Sequence, residues 1–393
     1  MFLSASIFPR QQIPGCRSFH CRAIRALLRA GSLLLSLCLL QSAAAGQVTE
    51  SPWPVHVPDT GQESCYDNLR RIECPQPGEP FYGQDAEYRA EPPRCEAISV
   101  AGATLLADRV TGLTWQAETA PAELDWSAAL DYADTLALGG HTDWRLPSIR
   151  ELRTIMNFGE PDGKGKEPGC ASGRAAGDPC FWSATTRKFP ALDAQSVCLD
   201  PINQVRDTDK GRKRAVRAVR GTPLPGPVFR DNGDGSVTDL STGLTWQQGE
   251  TRPMTWQQAL AFCEGLDLAG HQDWRLPSIR ELQTLVDVRR QQPALDSTIF
   301  PGCRPEPYWS STTRSERPAF AWTMDFATGR EYDGAYKGRF YPVRAVRGGH
   351  VRRRQPETAP VMTPPAGEKE QPLRPFPRER GHDELLEPYP LDM

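Results

Sequence analysis

The sequence lacks the short motifs by which the common enzyme classes are read. It has no G-x-S-x-G elbow, no H-E-x-x-H, no phosphate-binding G-x-x-x-x-G-K-[ST] and no G-x-G-x-x-G. Hydrolase, zincin, nucleotide and dinucleotide readings therefore have no support. Carboxylate pairs, which meet in space without a sequence signature, stay open as catalysts. No acidic residue precedes Glu50, while Arg17, Arg22, Arg25 and Arg29 do, and the apolar stretch Ala30–Leu40 is too short to span a bilayer comfortably. With Ala43-Ala44-Ala45 as a small-residue cleavage site, residues 1–45 read as a secretory signal peptide, a retained anchor being the alternative. The chain also lacks an excess of positive charge. Its formal net charge is −3 over 393 residues, and loss of the five arginines in residues 1–45 takes it to −8, a poor match to nucleic acid.

Cysteine is sparse. Of 11, three (Cys16, Cys21, Cys38) leave with the signal peptide, and Cys65, Cys74, Cys95, Cys170, Cys180, Cys198, Cys263 and Cys303 remain. An even number in an exported chain points to disulfides, with Cys65–Cys74 as the natural local pair, although eight cysteines allow 105 pairings. The expected location is the periplasm or the secreted or cell-surface space, with no membrane span in the mature chain.

What the sequence does have is a duplication. D-W-R-L-P-S-I-R-E-L occurs at Asp143–Leu152 and again at Asp273–Leu282. Gly112–Trp115 recurs as Gly243–Trp246, Trp182-Ser183 as Trp309-Ser310, and V-R-A-V-R-G at 216–221 recurs at 343–348. Two modules of roughly 115 residues follow, each of ordinary domain size. The organisation reads as a cysteine-containing lead-in over 46–100, module one over 101–221, a stiff linker over 222–227, module two over 228–348 and a proline-rich tail over 349–393 that is expected to be disordered.

Each module predicts the same elements. Val237–Asp239 and Gly243–Trp246 read as short strands, preceded by hairpin residues Asn232-Gly233 and Asp234-Gly235. A helix capped by Thr255 follows, with Trp256, Ala259, Leu260, Cys263 and Leu266 at helical spacing; its twin uses Asp125 as cap and Trp126, Ala129, Leu130, Ala133 and Leu136. A second helix starts inside the decapeptide, where Ser148 with Glu151, and Ser278 with Glu281, form capping boxes. Strands are expected at Tyr308–Thr313, Ala321–Asp325 and Tyr341–Arg347. The fold class is α+β, two helices and short antiparallel strands per module.

The repeated tryptophans read as core, and Arg145 and Arg275 as ion-pair partners of Glu151 and Glu281. His141 and His271 have no second ligand at metal spacing. Asp231, Asn232 and Asp234 resemble a calcium loop but lack its glutamate, so a hairpin turn is the better reading and calcium the lesser one. Lys210, Arg212, Lys213 and Arg214 in module one, with Lys337 and Arg339 in module two, form a candidate anion-binding surface set against the plainer reading of a solvated face.

The ordered set T-G-L-T-W, amphipathic helix, G-H-x-D-W-R-L-P-S-I-R-E-L, Y-W-S-S-T-T and V-R-A-V-R-G resembles the C-terminal domain of the Legionella collagen-like protein. The lead-in, Cys65–Tyr88, is also similar to the segment that often precedes that domain. The resemblance covers Val57 to Gly348. It implies a C-type-lectin-like fold related to the formylglycine-generating enzyme group, and a founding member that is an adhesin for sulfated polysaccharide. The collagen-like repeat is missing here, and no ligand residue transfers position by position. The resulting expectation is an exported, non-enzymatic tandem binding protein for acidic polysaccharide or a cell-envelope partner, two copies raising avidity if both engage one polymer. An enzyme of the formylglycine-generating type and a structural envelope interaction module are the alternatives.

Overall fold

The structure, a computed structural model, describes residues 55–90, 95–159, 180–186, 192–199, 203–349 and 351–353. The expected signal peptide, Cys170 and the tail beyond 353 lie outside the described residues. The lead-in contributes β1 (Cys65–Tyr66), β2 (Arg71–Ile72), a single 3-10 turn at Asp85–Glu87 and β3 (Tyr88–Arg89). Module one holds β4 (Cys95–Val100), β5 (Ala103–Asp108), β6 (Thr114–Gln116), α1 (Trp126–Thr135), α2 (Ile149–Thr154), β7 (Cys180–Thr186), β8 (Asp193–Cys198), β9 (Gln204–Asp209) and β10 (Val219–Arg220). Module two holds β11 (Phe229–Asp231), β12 (Ser236–Asp239), β13 (Leu244–Gln247), α3 (Trp256–Glu264), α4 (Ile279–Thr284), β14 (Pro307–Thr313), β15 (Phe320–Asp325), β16 (Arg330–Tyr336) and β17 (Val346–Gly348). β18 (Arg352–Arg353) then pairs back onto β3.

The modules share one antiparallel topology. A four-stranded sheet runs β4-β5-β6-β10 in the first and β11-β12-β13-β17 in the second, beside three-stranded sheets β7-β8-β9 and β14-β15-β16. The α+β class expected from the sequence is therefore seen twice. β4 pairs along its whole length with β5, so the sheet of module one takes its edge strand from the end of the lead-in. The helix starts form as the cap residues require. Asp125, Ser148, Thr255 and Ser278 each accept the backbone N–H three residues on, and Glu151, Gln258 and Glu281 return the bond to complete capping boxes.

Two expectations fail in detail. Tyr341–Ala345 is not a regular strand: its backbone makes separate bonds to Met254, Thr251 and Gln247, and only Val346–Gly348 joins the sheet. β9 and β16 were not read from the sequence, because polar residues stand at most of their positions, as in Arg330-Glu331-Tyr332-Asp333.

Among the described residues the core has three clusters. One belongs to module one (Trp144, Trp182, Ala129, Val216) and one to module two (Trp256, Trp274, Trp309, Val343). The third is shared: Leu152, Ile155, Met156 and Phe158 of module one are buried with Leu282, Leu285, Trp322 and Met324 of module two. The modules thus fold against each other through a continuous apolar seam rather than as beads on a linker.

Candidate functional site

The duplicated decapeptide builds that seam. α2 packs against α4, and each donates an arginine to the other's C-terminal carbonyls. Arg150 reaches Thr284 O (3.3 Å) and Val286 O (2.9 Å), while Arg280 reaches Arg153 O (2.8 Å), Thr154 O (2.9 Å) and Met156 O. Residues 284 and 286 stand to module two as 154 and 156 stand to module one, so the exchange is reciprocal, the pattern of a two-fold interface made within one chain. Cations at helix C-termini also suit the helix dipole. Arg153 pairs with Glu331 at 2.8 Å, and Gln283, its counterpart, donates to the same carboxylate at 2.9 Å. Sequence reasoning missed this seam. The available signal was that two copies which drift elsewhere keep an identical polar residue, arginine, beside apolar Ile149 and Ile279.

Within each copy the expected ion pair is present. Arg145 holds Glu151 through both nitrogens (2.7 and 2.6 Å), and Arg275 holds Glu281 (both 2.6 Å). Of the tryptophans of the repeats, Trp115, Trp144, Trp182, Trp246, Trp256, Trp274 and Trp309 are buried, whereas Trp126, also expected in the core, is only half-buried.

The basic residues singled out from the sequence divide. Lys210 follows β9 and sits half-buried, with its Nζ 4.6 Å above the Trp126 ring. Arg212 and Lys213 are exposed on the turn that follows, and Arg214 is half-buried where its backbone bridges Leu124. In module two Lys337 takes the place of Lys210, 3.7 Å above Trp256, but only 2% of it is exposed and it donates to Asp67 O of the lead-in at 3.0 Å. Burial pulls its pKa down to about 7, partly offset by Asp67. Lys337 is therefore no part of an open surface, and of the module-two pair only Arg339 is exposed. Arg217 and Arg344 are buried, against Phe181 and Phe300 respectively.

The lead-in causes this difference. Phe81 packs near Trp256 (ring centroids 6.4 Å apart), the side chain of Gln62 exchanges hydrogen bonds with the backbone of Thr313 (2.6 and 2.9 Å), and Thr312 donates to Asp85 at 2.5 Å. Tyr88 donates to Glu264, and its ring lies 5.4 Å from the Arg275 guanidinium. Burial pushes Asp85 up to about 7, helped by Asp59 and Glu281 and opposed by the hydroxyls of Thr312 and Thr60. Burial likewise pushes Glu87 up to about 7, against the backbone N–H groups of Gly83 and Gln84.

The thiols correct one expectation. Cys65–Cys74 forms, Cys180–Cys198 joins β7 to β8 and Cys95 is disulfide-bonded, but Cys263 and Cys303 are free and buried. Cys263 lies on the buried face of α3 and Cys303 in the shared core. They belong to packing, as unpaired cysteines in a core usually do. Burial raises both thiol pKa values, the reverse of what activates a nucleophile.

The segment Asp231–Gly235 forms the β11–β12 hairpin. Asp231 accepts Gly233 N (2.8 Å) and the Gln248 amide (2.9 Å), and Asp234 accepts Ser236 N (3.0 Å) and its hydroxyl (2.6 Å), so these carboxylates serve the turn. The one cluster of metal-ligand types among the described residues is Cys65, Cys74 and Glu87, whose sulfurs are joined in a disulfide.

No protein of curated function matches the chain. The family described as the Lcl C-terminal domain matches residues 104–220 and again 235–347, which is more than half of the chain and leaves out the lead-in that docks on the second copy. The chain is a member of the Lcl C-terminal domain family, carrying that domain twice in tandem.

Proposed function

We propose that the protein is an exported, non-enzymatic binding protein whose modules are C-type-lectin-like, and that it recognises an acidic polysaccharide through the turn Lys210–Arg214 of module one. The observation that carries this reading is the exposure of Arg212 and Lys213 together on a turn whose base is pinned, with Lys210 over Trp126 and Trp126 N donating to Lys210 O at 3.0 Å. Cations fixed on a short turn offer sulfate and carboxylate groups paired contacts at little ordering cost. Disulfides support an oxidising compartment. The reading is narrower than two equivalent patches, because the lead-in buries Lys337 in the second copy.

Heparin chromatography at physiological salt tests it. The wild type is expected to be retained and the double variant Arg212→Glu, Lys213→Glu to elute at markedly lower salt. Flow-through of the wild type ends the proposal.

A further inference from the structure

A cleft opens on the seam where the two copies of the decapeptide meet. Arg150, Arg153 and Arg280 line it, and Val57 of the lead-in with Leu224 and Pro225 of the linker supply apolar walls. It takes matched residues from both modules, 150 with 280, 153 with 283 and 154 with 284, and so lies on the approximate two-fold axis.

Among the described residues no carboxylate lines it. Arg153 is paired with Glu331, but among the described residues neither Arg150 nor Arg280 has a carboxylate within 4.0 Å. Both guanidinium groups spend their Nη donors on backbone carbonyls, which satisfy N–H groups but bring no whole charge. The Nε of buried Arg280 meets no acceptor. Burial weighs on both, pulling each pKa to about 10. Buried cations are ordinarily matched by an anion; Asp59, Asp108 and Asp85 act on Arg280, and Asp239 and Asp287 on Arg150, only from beyond ion-pair distance, and the fold leaves a cavity beside both guanidinium groups.

The geometry points to a binding site for one small organic anion per chain, a carboxylate on an apolar body, with Arg150 and Arg280 as counter-charges and the Val57, Leu224 and Pro225 walls around its apolar part. The site is separate from the exposed turn of module one and does not depend on the polysaccharide reading.

Calorimetric titration of the full chain with benzoate tests it, with benzyl alcohol as the uncharged counterpart. Benzoate is expected to saturate at one site and benzyl alcohol to bind at least about tenfold more weakly, as loss of a charge-assisted pair implies. Arg150→Gln and Arg280→Gln should each weaken benzoate by about tenfold or more. Arg280 also holds a helix end, so Leu224→Trp is the second variant: it fills the cleft from the linker and leaves both arginines in the sequence. It should abolish benzoate binding with the wild-type circular dichroism spectrum retained. Absence of saturable benzoate binding, equal binding of benzyl alcohol, or full binding by Leu224→Trp would overturn the proposal.

Discussion

Arg145 of the first module keeps 29% of its side chain exposed, whereas Arg275, at the same place in the second, keeps 6%. Lys210 is half-buried and Lys337 buried, and Trp126 is half-buried where Trp256 is fully covered. The sheet orders are the same in both modules, as are the Ser–Glu capping boxes beside the Arg–Glu pairs. What differs is the lead-in, which covers module two through Asp67, Phe81, Asp85 and Tyr88. Duplication repeats the local geometry of a side chain, but the electrostatic environment is set by whatever docks over it. In the second copy the same residues work in a drier medium, where an unmatched charge costs more.

The largest effect should come from removing one carboxylate in each copy. Glu281→Ala leaves Arg275 buried without its carboxylate and is expected to cost about 3–5 kcal/mol. Glu151→Ala leaves Arg145, which reaches water, and should cost about 1–2 kcal/mol, mostly through the lost capping box. Urea unfolding of both variants measures the gap, and equal costs would mean that the lead-in does not set the environment of module two.

A second difference lies in the three-stranded sheets. Cys180↔Cys198 in β7–β8 corresponds in register to Pro307↔Asp325 in β14–β15. One copy has a covalent staple there; the other has a turn in which Asp325 accepts Ala327 N (2.8 Å) and the Thr328 hydroxyl (2.7 Å). The double variant Cys180→Ala, Cys198→Ala should lose about 3 kcal/mol, the loop-closure effect for a separation of 18 residues. A loss under about 1 kcal/mol would show that the first module does not need the staple.

Much of the local structure was legible in the chain. Caps, helix faces, the β11–β12 hairpin and the Arg–Glu pairs follow from residue type at fixed spacing, which needs no knowledge of the rest of the fold. The seam was not legible, because Arg150 and Arg280 act on backbone carbonyls of the opposite copy and no spacing rule reaches 130 residues away. The fate of Lys337 was hidden for the same reason: its partner is a carbonyl 270 residues earlier. Cys263 and Cys303 misled by parity, since an even count says nothing about which sulfurs meet. The candidate surface was thus readable as a list of cations but not as a shape.

The smallest effect is a change in how stability follows pH, and it separates the two lysines. Asp85 and Glu87 rise to about 7 from ordinary values of 3.8 and 4.5, so between roughly pH 4 and 7 the folded state holds protons that the unfolded chain has released. Stability contributed by these groups falls as pH rises through that window; Asp59 and Glu264, also raised by burial, add to the fall. Lys337 has the opposite sense. Its pKa drops from 10.5 to about 7, so above pH 7 the unfolded chain binds the extra proton and stability recovers towards pH 10. These groups together predict a minimum near pH 7 in the urea midpoint measured from pH 4 to about 8.5, below the range in which the raised thiols of Cys263 and Cys303 lower stability again. Lys337→Met should remove the alkaline recovery and leave the acid side intact, whereas Lys210→Met, a substitution at a partly hydrated site, should shift stability by no more than about 0.5 kcal/mol. A monotonic profile in the wild type, or an alkaline recovery that survives Lys337→Met, would show that the lead-in does not dehydrate module two in solution.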